Sequence, residues 1–130
     1  MAEVSRLGAA ELTWDHKARR GVLRFVDEAG AAGGCEAEQL TGDLERWVGT
    51  GREPFELLVD CTQIASIDAA WRQRWADFFV DHRDHAVLAW FNANPEIDLI
   101  VTMFRKGTGV TGEVFATEEE ARLYLAGQRA

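Results

Sequence analysis

Two cysteines, Cys35 and Cys61, are all that this chain offers for disulfide bonding. They are too few and too far apart for a stapled scaffold, and they fit a reducing, cytoplasmic setting. No apolar run approaches the roughly 20 residues that a membrane-crossing helix needs. The opening residues Met1-Ala2-Glu3-Val4-Ser5-Arg6 lack a basic segment followed by an apolar core, so no secretory leader is expected. A basic surplus is missing too. Fourteen Lys and Arg stand against 22 Asp and Glu, for a net charge of −8. Such a field repels a phosphate backbone and an anionic membrane alike, so neither is expected as a partner. With three histidines in the whole chain, metal and triad chemistry have little to work with.

What is present is ordinary globular material: 47% hydrophobic and 28% charged residues, which argues against disorder. A length of 130 residues suits one domain, 1–130, with a core from about residue 6 to residue 126. Residues 7–14 and 22–26 alternate like strands around a polar turn at 16–21, which predicts a hairpin. The glycine-rich tract 27–34 reads as a loop. Ala37, Leu40, Leu44, Trp47 and Val48 recur at spacings of three and four, predicting a helix over 36–48.

The next stretch is the most informative. Residues 55–60 form a short apolar strand, 61–68 a polar turn with apolar anchors, and Asp68 caps a helix over 69–83. That helix carries Trp71, Trp75, Phe78, Phe79 and His82 on one side, a load that belongs to a core. Residues 86–91 are apolar throughout, as in a strand buried on both faces. Asn94 and Pro95 open a further helix, with Ile97, Ile100, Val101 and Phe104 inward and Gly107 ending it. Leu99 and Met103 fall outside that stripe. A strand at 113–116 and a capping box at 117–120 lead into the final helix, anchored by Ala121, Tyr124 and Leu125. This order predicts an α/β fold: a mixed, mostly parallel sheet of about five strands, with an N-terminal hairpin and four helices.

Three patterns invite chemistry, and each has a plainer reading. Residues 107–112 match G-x-G-x-x-G, but they follow a helix and precede a strand, the reverse of a dinucleotide site. His82 and His85, with Asp81 and Asp84 beside them, sit at a helix end where His82 packs and His85 meets solvent. Cys61 follows a strand, yet nothing beside it would activate a thiol. An enzyme would need Asp60, Asp68 and a histidine to converge. No catalytic group, cofactor or metal is expected. Arg72 and Arg74 lie near a helix N-terminus, where cations oppose the dipole. Either Arg72 pairs with Asp68 on the surface, or the two arginines await an acidic partner or an anion.

Residues 59–70, Val-Asp-Cys-Thr-Gln-Ile-Ala-Ser-Ile-Asp-Ala-Ala, resemble the signature segment of STAS domains, the anti-sigma-factor antagonist or SpoIIAA-like family. There an apolar strand runs into Asp-Leu-Ser, a short turn, and Asp-Ser-Ser-Gly-Leu opening a helix. Residues 115–121 match the family's Phe-x-Thr-x-Glu-Glu-Ala pattern. The resemblance implies a SpoIIAA/STAS-like fold and a non-enzymatic module that binds a protein, such as a kinase-like anti-sigma factor. In the family a partner kinase phosphorylates the first serine after the aspartate. Here that position is Ala69 and the next is Ala70, with Trp71 in place of glycine, so no switch can operate there. The implied docking surface comprises Thr62, Ser66, Asp68, Ala69, Ala70 and Arg72, joined by the outward Leu99 and Met103. The same two residues would also serve a homodimer. The alternative is a sensor for a nucleotide or an apolar metabolite near Trp71, Trp75 and Trp90, which a filled core at those tryptophans would exclude.

Overall fold

In the computed structural model, residues 2–7, 10–25, 34–64 and 67–129 are described. The continuous apolar runs become the centre of a sheet. Strands β4 (Phe55–Asp60) and β5 (Ala86–Phe91) pair in parallel, with Leu57 opposite Leu88 and Val59 opposite Trp90. Flanking them are β3 (Arg20–Phe25) on one side and β6 (Thr111–Phe115) on the other, both parallel to their neighbours. The hairpin strand β2 (Ala10–Asp15) runs antiparallel to β3. These are the five strands expected. A sixth, β1 (Ala2–Leu7), adds an antiparallel edge beyond β2, so the spatial order is simply β1-β2-β3-β4-β5-β6.

That order determines where the helices lie. Helices α1 (Gly34–Val48), α2 (Ala69–His82) and α3 (Pro95–Thr108) connect successive parallel strands, each crossover stepping the same way along the sheet. Crossovers of one hand that step in one direction deposit their helices on one face. Accordingly Leu40, Leu44, Trp71, Trp75, Phe79, Ile97 and Val101 share one core with Leu57, Val59 and Leu88. Helix α4 (Glu118–Arg129) follows the last strand and covers the other face. There Ala121 and Leu125 pack on Leu58, Ala89 and Phe91, while Tyr124 is half-buried. Among the described residues, no helix is long and apolar enough to cross a membrane.

The caps follow the local chemistry. Asn94 accepts a 2.8 Å bond from the Ile97 amide at the start of α3. At its end the chain differs from expectation: the helix continues past Gly107 to Thr108, and Gly109 is the left-handed cap, φ 73°, its amide donating to the Arg105 carbonyl. The glycine-rich match is therefore a helix stop followed by β6. Thr117 accepts from the Glu120 amide as a capping box requires.

One further expectation fails. His85 is not solvated; its side chain is 6% exposed and its ring packs against Phe55. Strand β4 begins with that phenylalanine, and the Phe55 amide donates to the His85 carbonyl, which draws the ring inward. His82 Nδ1 lies 2.8 Å from His85 Nε2, while His85 Nδ1 lies 2.8 Å from an Asp84 oxygen. The Arg52 guanidinium, then His85, hold the Asp84 carboxyl well below the usual carboxylate range. No group of three metal-ligating side chains occurs among the described residues.

Candidate functional site

The carboxyl ends of parallel strands are where an α/β sheet opens into loops, and the 61–72 junction lies there. Polar side chains stitch the ends of β4 and β5 together. Asp60 Oδ1 accepts from the Thr62 amide at 2.9 Å and from the Thr62 hydroxyl at 2.5 Å. The same hydroxyl accepts from Asn92 Nδ2 at 2.9 Å, and Asn94 Nδ2 reaches the Ile64 carbonyl at 3.4 Å. Asn92 holds φ at 59°, a conformation that asparagine tolerates better than most residues. The sequence offers one signal for Asn92, an asparagine directly after an apolar strand, and none for the bond from Asn94 to the turn. Thr62 is therefore exposed but structurally engaged.

Below the turn, Cys61 and Ile64 are buried. Burial, reinforced by the neighbouring Asp60 charge, pushes the Cys61 thiol up to about 12 from its ordinary 9.0. At pH 8 roughly one thiol in ten thousand would be ionised, so Cys61 is a packing residue and a poor nucleophile. In a Cys35→Ser background, iodoacetamide at pH 8 should leave native Cys61 intact and alkylate it only after denaturation. Equal rates in both states would refute this assignment.

Helix α2 starts as expected. Asp68 has extended backbone and accepts from the Ala70 amide at 2.7 Å. Asp68, Ala69 and Ala70 are exposed, so the methyl groups at the two alanines face solvent where a hydroxyl would be needed for modification. The expected surface pair between Asp68 and Arg72 is not formed. Asp68 is committed to its helix amide, and no carboxylate pairs with the Arg72 side chain among the described residues. Arg72 is half-buried and turns toward α3 and the interior. Ser66 lies outside the described residues.

Across from α2, helix α3 presents Leu99 at 62% and Met103 at 59% exposure, and α2 itself presents Val80 at 42%. An open groove between the two helices is lined by Ala69, Arg72, Val80, Ile100 and Met103, among others. It thus brings together three of the expected site residues, Ala69, Arg72 and Met103. Leu99 lies one turn from Met103 on α3, whereas Thr62 belongs to the strand-end network.

His82 and His85 flank the amino-terminal end of β5, and His16 follows β2 at the turn where Arg20 faces Glu56. Asp60 and Asp68 belong to the opposite, carboxyl ends of the strands. The α2 helix between Asp68 and His82 spans about 21 Å at 1.5 Å per residue. These groups do not converge.

Known structures share this fold. Apo-SiaC from Pseudomonas aeruginosa superposes with a TM-score of 0.65 at 13% identity, over 89% of this chain and 99% of that one. An uncharacterised DUF3478-family protein from Shewanella loihica PV-4, described as having a SpoIIAA-like fold, gives 0.66 at 14% identity, over 96% and 92%. This chain has a SpoIIAA-like fold. No protein-family model matches its sequence, and no curated protein sequence does. Identities this low carry the architecture alone.

Proposed function

We propose that the chain is a non-enzymatic, cytoplasmic regulatory module that docks a protein partner on the start of α2 and the outer side of α3. By the STAS resemblance that partner is a kinase-like anti-sigma factor or a comparable regulator. The observation that carries the reading is the exposure of Leu99 and Met103 on α3, with Val80 nearby on α2. Grouped apolar side chains left in water are characteristic of interaction surfaces. The buried, high-pKa Cys61 and the separation of the histidines from Asp60 and Asp68 favour binding over catalysis. With alanine at 69 and 70, docking here is constitutive with respect to phosphorylation at the start of α2.

Tagged wild type should retain its partner from lysates of the source cells, while Ala69→Glu and Met103→Glu should each reduce recovery at least tenfold. A carboxylate buried against an apolar partner surface accounts for that loss. Unchanged recovery by both folded variants would overturn the proposed surface. Size-exclusion chromatography of the purified chain separates self-association through Leu99 and Met103 from capture of a different protein.

A further inference from the structure

Helix α2 ends in a chain of polar contacts that runs through two enclosed imidazoles. His82 Nε2 lies 3.3 and 3.2 Å from the two carboxylate oxygens of Glu45 on α1. His82 Nδ1 lies 2.8 Å from His85 Nε2, and His85 Nδ1 lies 2.8 Å from Asp84 Oδ1. Asp84 in turn pairs with Arg52. The His82 and His85 side chains are 8% and 6% exposed. Phe55 packs against both rings and Phe78 against His82, so water has little access to replace a hydrogen bond that the chain fails to make.

Counting hydrogens shows what this chain needs. A carboxylate only accepts, whereas an imidazole nitrogen donates if it carries a hydrogen and accepts if it does not. The bond to Glu45 requires a hydrogen on His82 Nε2, and the bond to Asp84 requires one on His85 Nδ1. The bond between the rings requires a single hydrogen, on one of the two facing nitrogens. Three bonds therefore call for three ring hydrogens, and two neutral imidazoles hold two. A fourth would set two N–H groups against each other at 2.8 Å. The chain is complete in one protonation state, with one proton more than two neutral rings carry.

The surrounding charges suit that state. Glu45 and Asp84 face the pair with carboxylates from opposite ends. The Arg52 guanidinium, then His85, hold Asp84 well below the usual carboxylate range, so it stays an acceptor. Arg52, from the segment before β4, is itself paired with Asp84. Asp81, in the last turn of α2, lines the outer groove together with Glu45 and Arg74. From β4 comes the uncharged Phe55, in contact with Trp14. Beside Trp14 lie His16, which accepts from the Trp14 indole, and Arg19, which donates to the Val48 and Pro54 carbonyls.

We infer that His82 and His85 form a binding site for one proton held in common, and that this proton ties α1 to α2 through Glu45. Without it, one of the three bonds has to be given up. The bond to Glu45 is the one released, because that side chain is 58% exposed and can turn to water, while Arg52 anchors Asp84. Proton uptake fastens Glu45 onto His82, and proton loss frees it. Ordinary imidazoles change charge between about pH 5 and 8, and two that share a hydrogen bond titrate as a unit. The site lies at the opposite end of α2 from Ala69, so it stands apart from the start of the docking surface.

Long-range nitrogen–proton spectra of the histidine rings, followed from about pH 9 to pH 5, test this directly. The chain has three histidines, and His16→Gln identifies the signals that do not belong to the pair. In folded wild type, the four ring nitrogens of His82 and His85 should together register the uptake of one proton. Glu45→Gln, a change at an exposed position, should weaken that uptake about threefold, the size expected for a partly solvated ion pair. Uptake of two protons by the pair, or of none, above pH 5 would overturn the inference. So would a Glu45→Gln titration that coincides with that of wild type. Ala69→Glu and Met103→Glu leave His82, His85 and Glu45 in place, so failure of docking and failure of this site are read separately.

Discussion

Phe55→Ala is expected to destabilise the protein by about 3–5 kcal/mol, the usual range for removing a fully buried aromatic ring. Phe55 is 3% exposed, and its ring meets Trp14 at 6.2 Å, Phe79 at 6.4 Å, His82 at 5.7 Å and His85 at 5.6 Å between centroids. One side chain therefore joins the hairpin, the central strand and the end of α2. Its loss removes transfer free energy and leaves a cavity that three separate elements would have to collapse into. A domain of this size has of the order of 5–15 kcal/mol in total, so the variant forfeits about a fifth or more. Urea denaturation should show a lower midpoint with an unchanged slope. A shift equivalent to under about 1 kcal/mol would mean that the aromatic contacts at Phe55 are not held together as described.

Gly112→Ala should cost about 2–3 kcal/mol, at the upper end of what overpacking usually does. A methyl group there would stand 2.7 Å from the Leu88 carbonyl oxygen and 2.8 Å from Trp90 Cζ3. The carbonyl cannot withdraw without disturbing β5, since Leu88 and Gly112 are direct partners in the parallel ladder. The Trp90 ring, 6% exposed, is buried between this position and the interior cavity it lines. Thermal and urea unfolding would both register the loss, and a variant within about 0.5 kcal/mol of wild type would refute the close approach. Gly21 provides the contrast. Its nearest neighbour would be Leu57 Cδ1 at 2.9 Å, the tip of a flexible side chain that can turn aside.

The parts of the fold that were legible in the sequence are those with strong hydrophobic patterning. β4 and β5 announce themselves as apolar runs, α2 as an aromatic face, and α3 by Asn94-Pro95 at its start. β1 was not legible for a physical reason. It is an edge strand that pairs with β2, and its Val4, at 61% exposure, offers no buried position to read. The junction was placed correctly, as were the outward Leu99 and Met103, because a residue off the apolar stripe of a helix has nowhere to go but solvent. Two interactions escaped notice because they depend on partners distant in sequence. His85 reads as a polar residue after a helix, yet Phe55 covers it from another strand. Arg72 reads as half of an i, i+4 pair with Asp68, but the capping amide of Ala70 holds that carboxylate, and the guanidinium turns to a cavity that only the assembled layers create.

The sequential strand order also bears on how the protein is made. Each strand pairs only with its neighbours in the chain, so no segment has to wait for a distant one before joining the sheet. Each parallel pair still has to close the crossover that joins its strands, and that closure sets the pace. As the chain leaves the ribosome, the sheet can lengthen one strand at a time from the hairpin outward, each new helix settling on the same face as the last. α4, which follows β6, then covers the remaining apolar side of β4 and β5. The strand order thus lets synthesis and assembly run in the same direction.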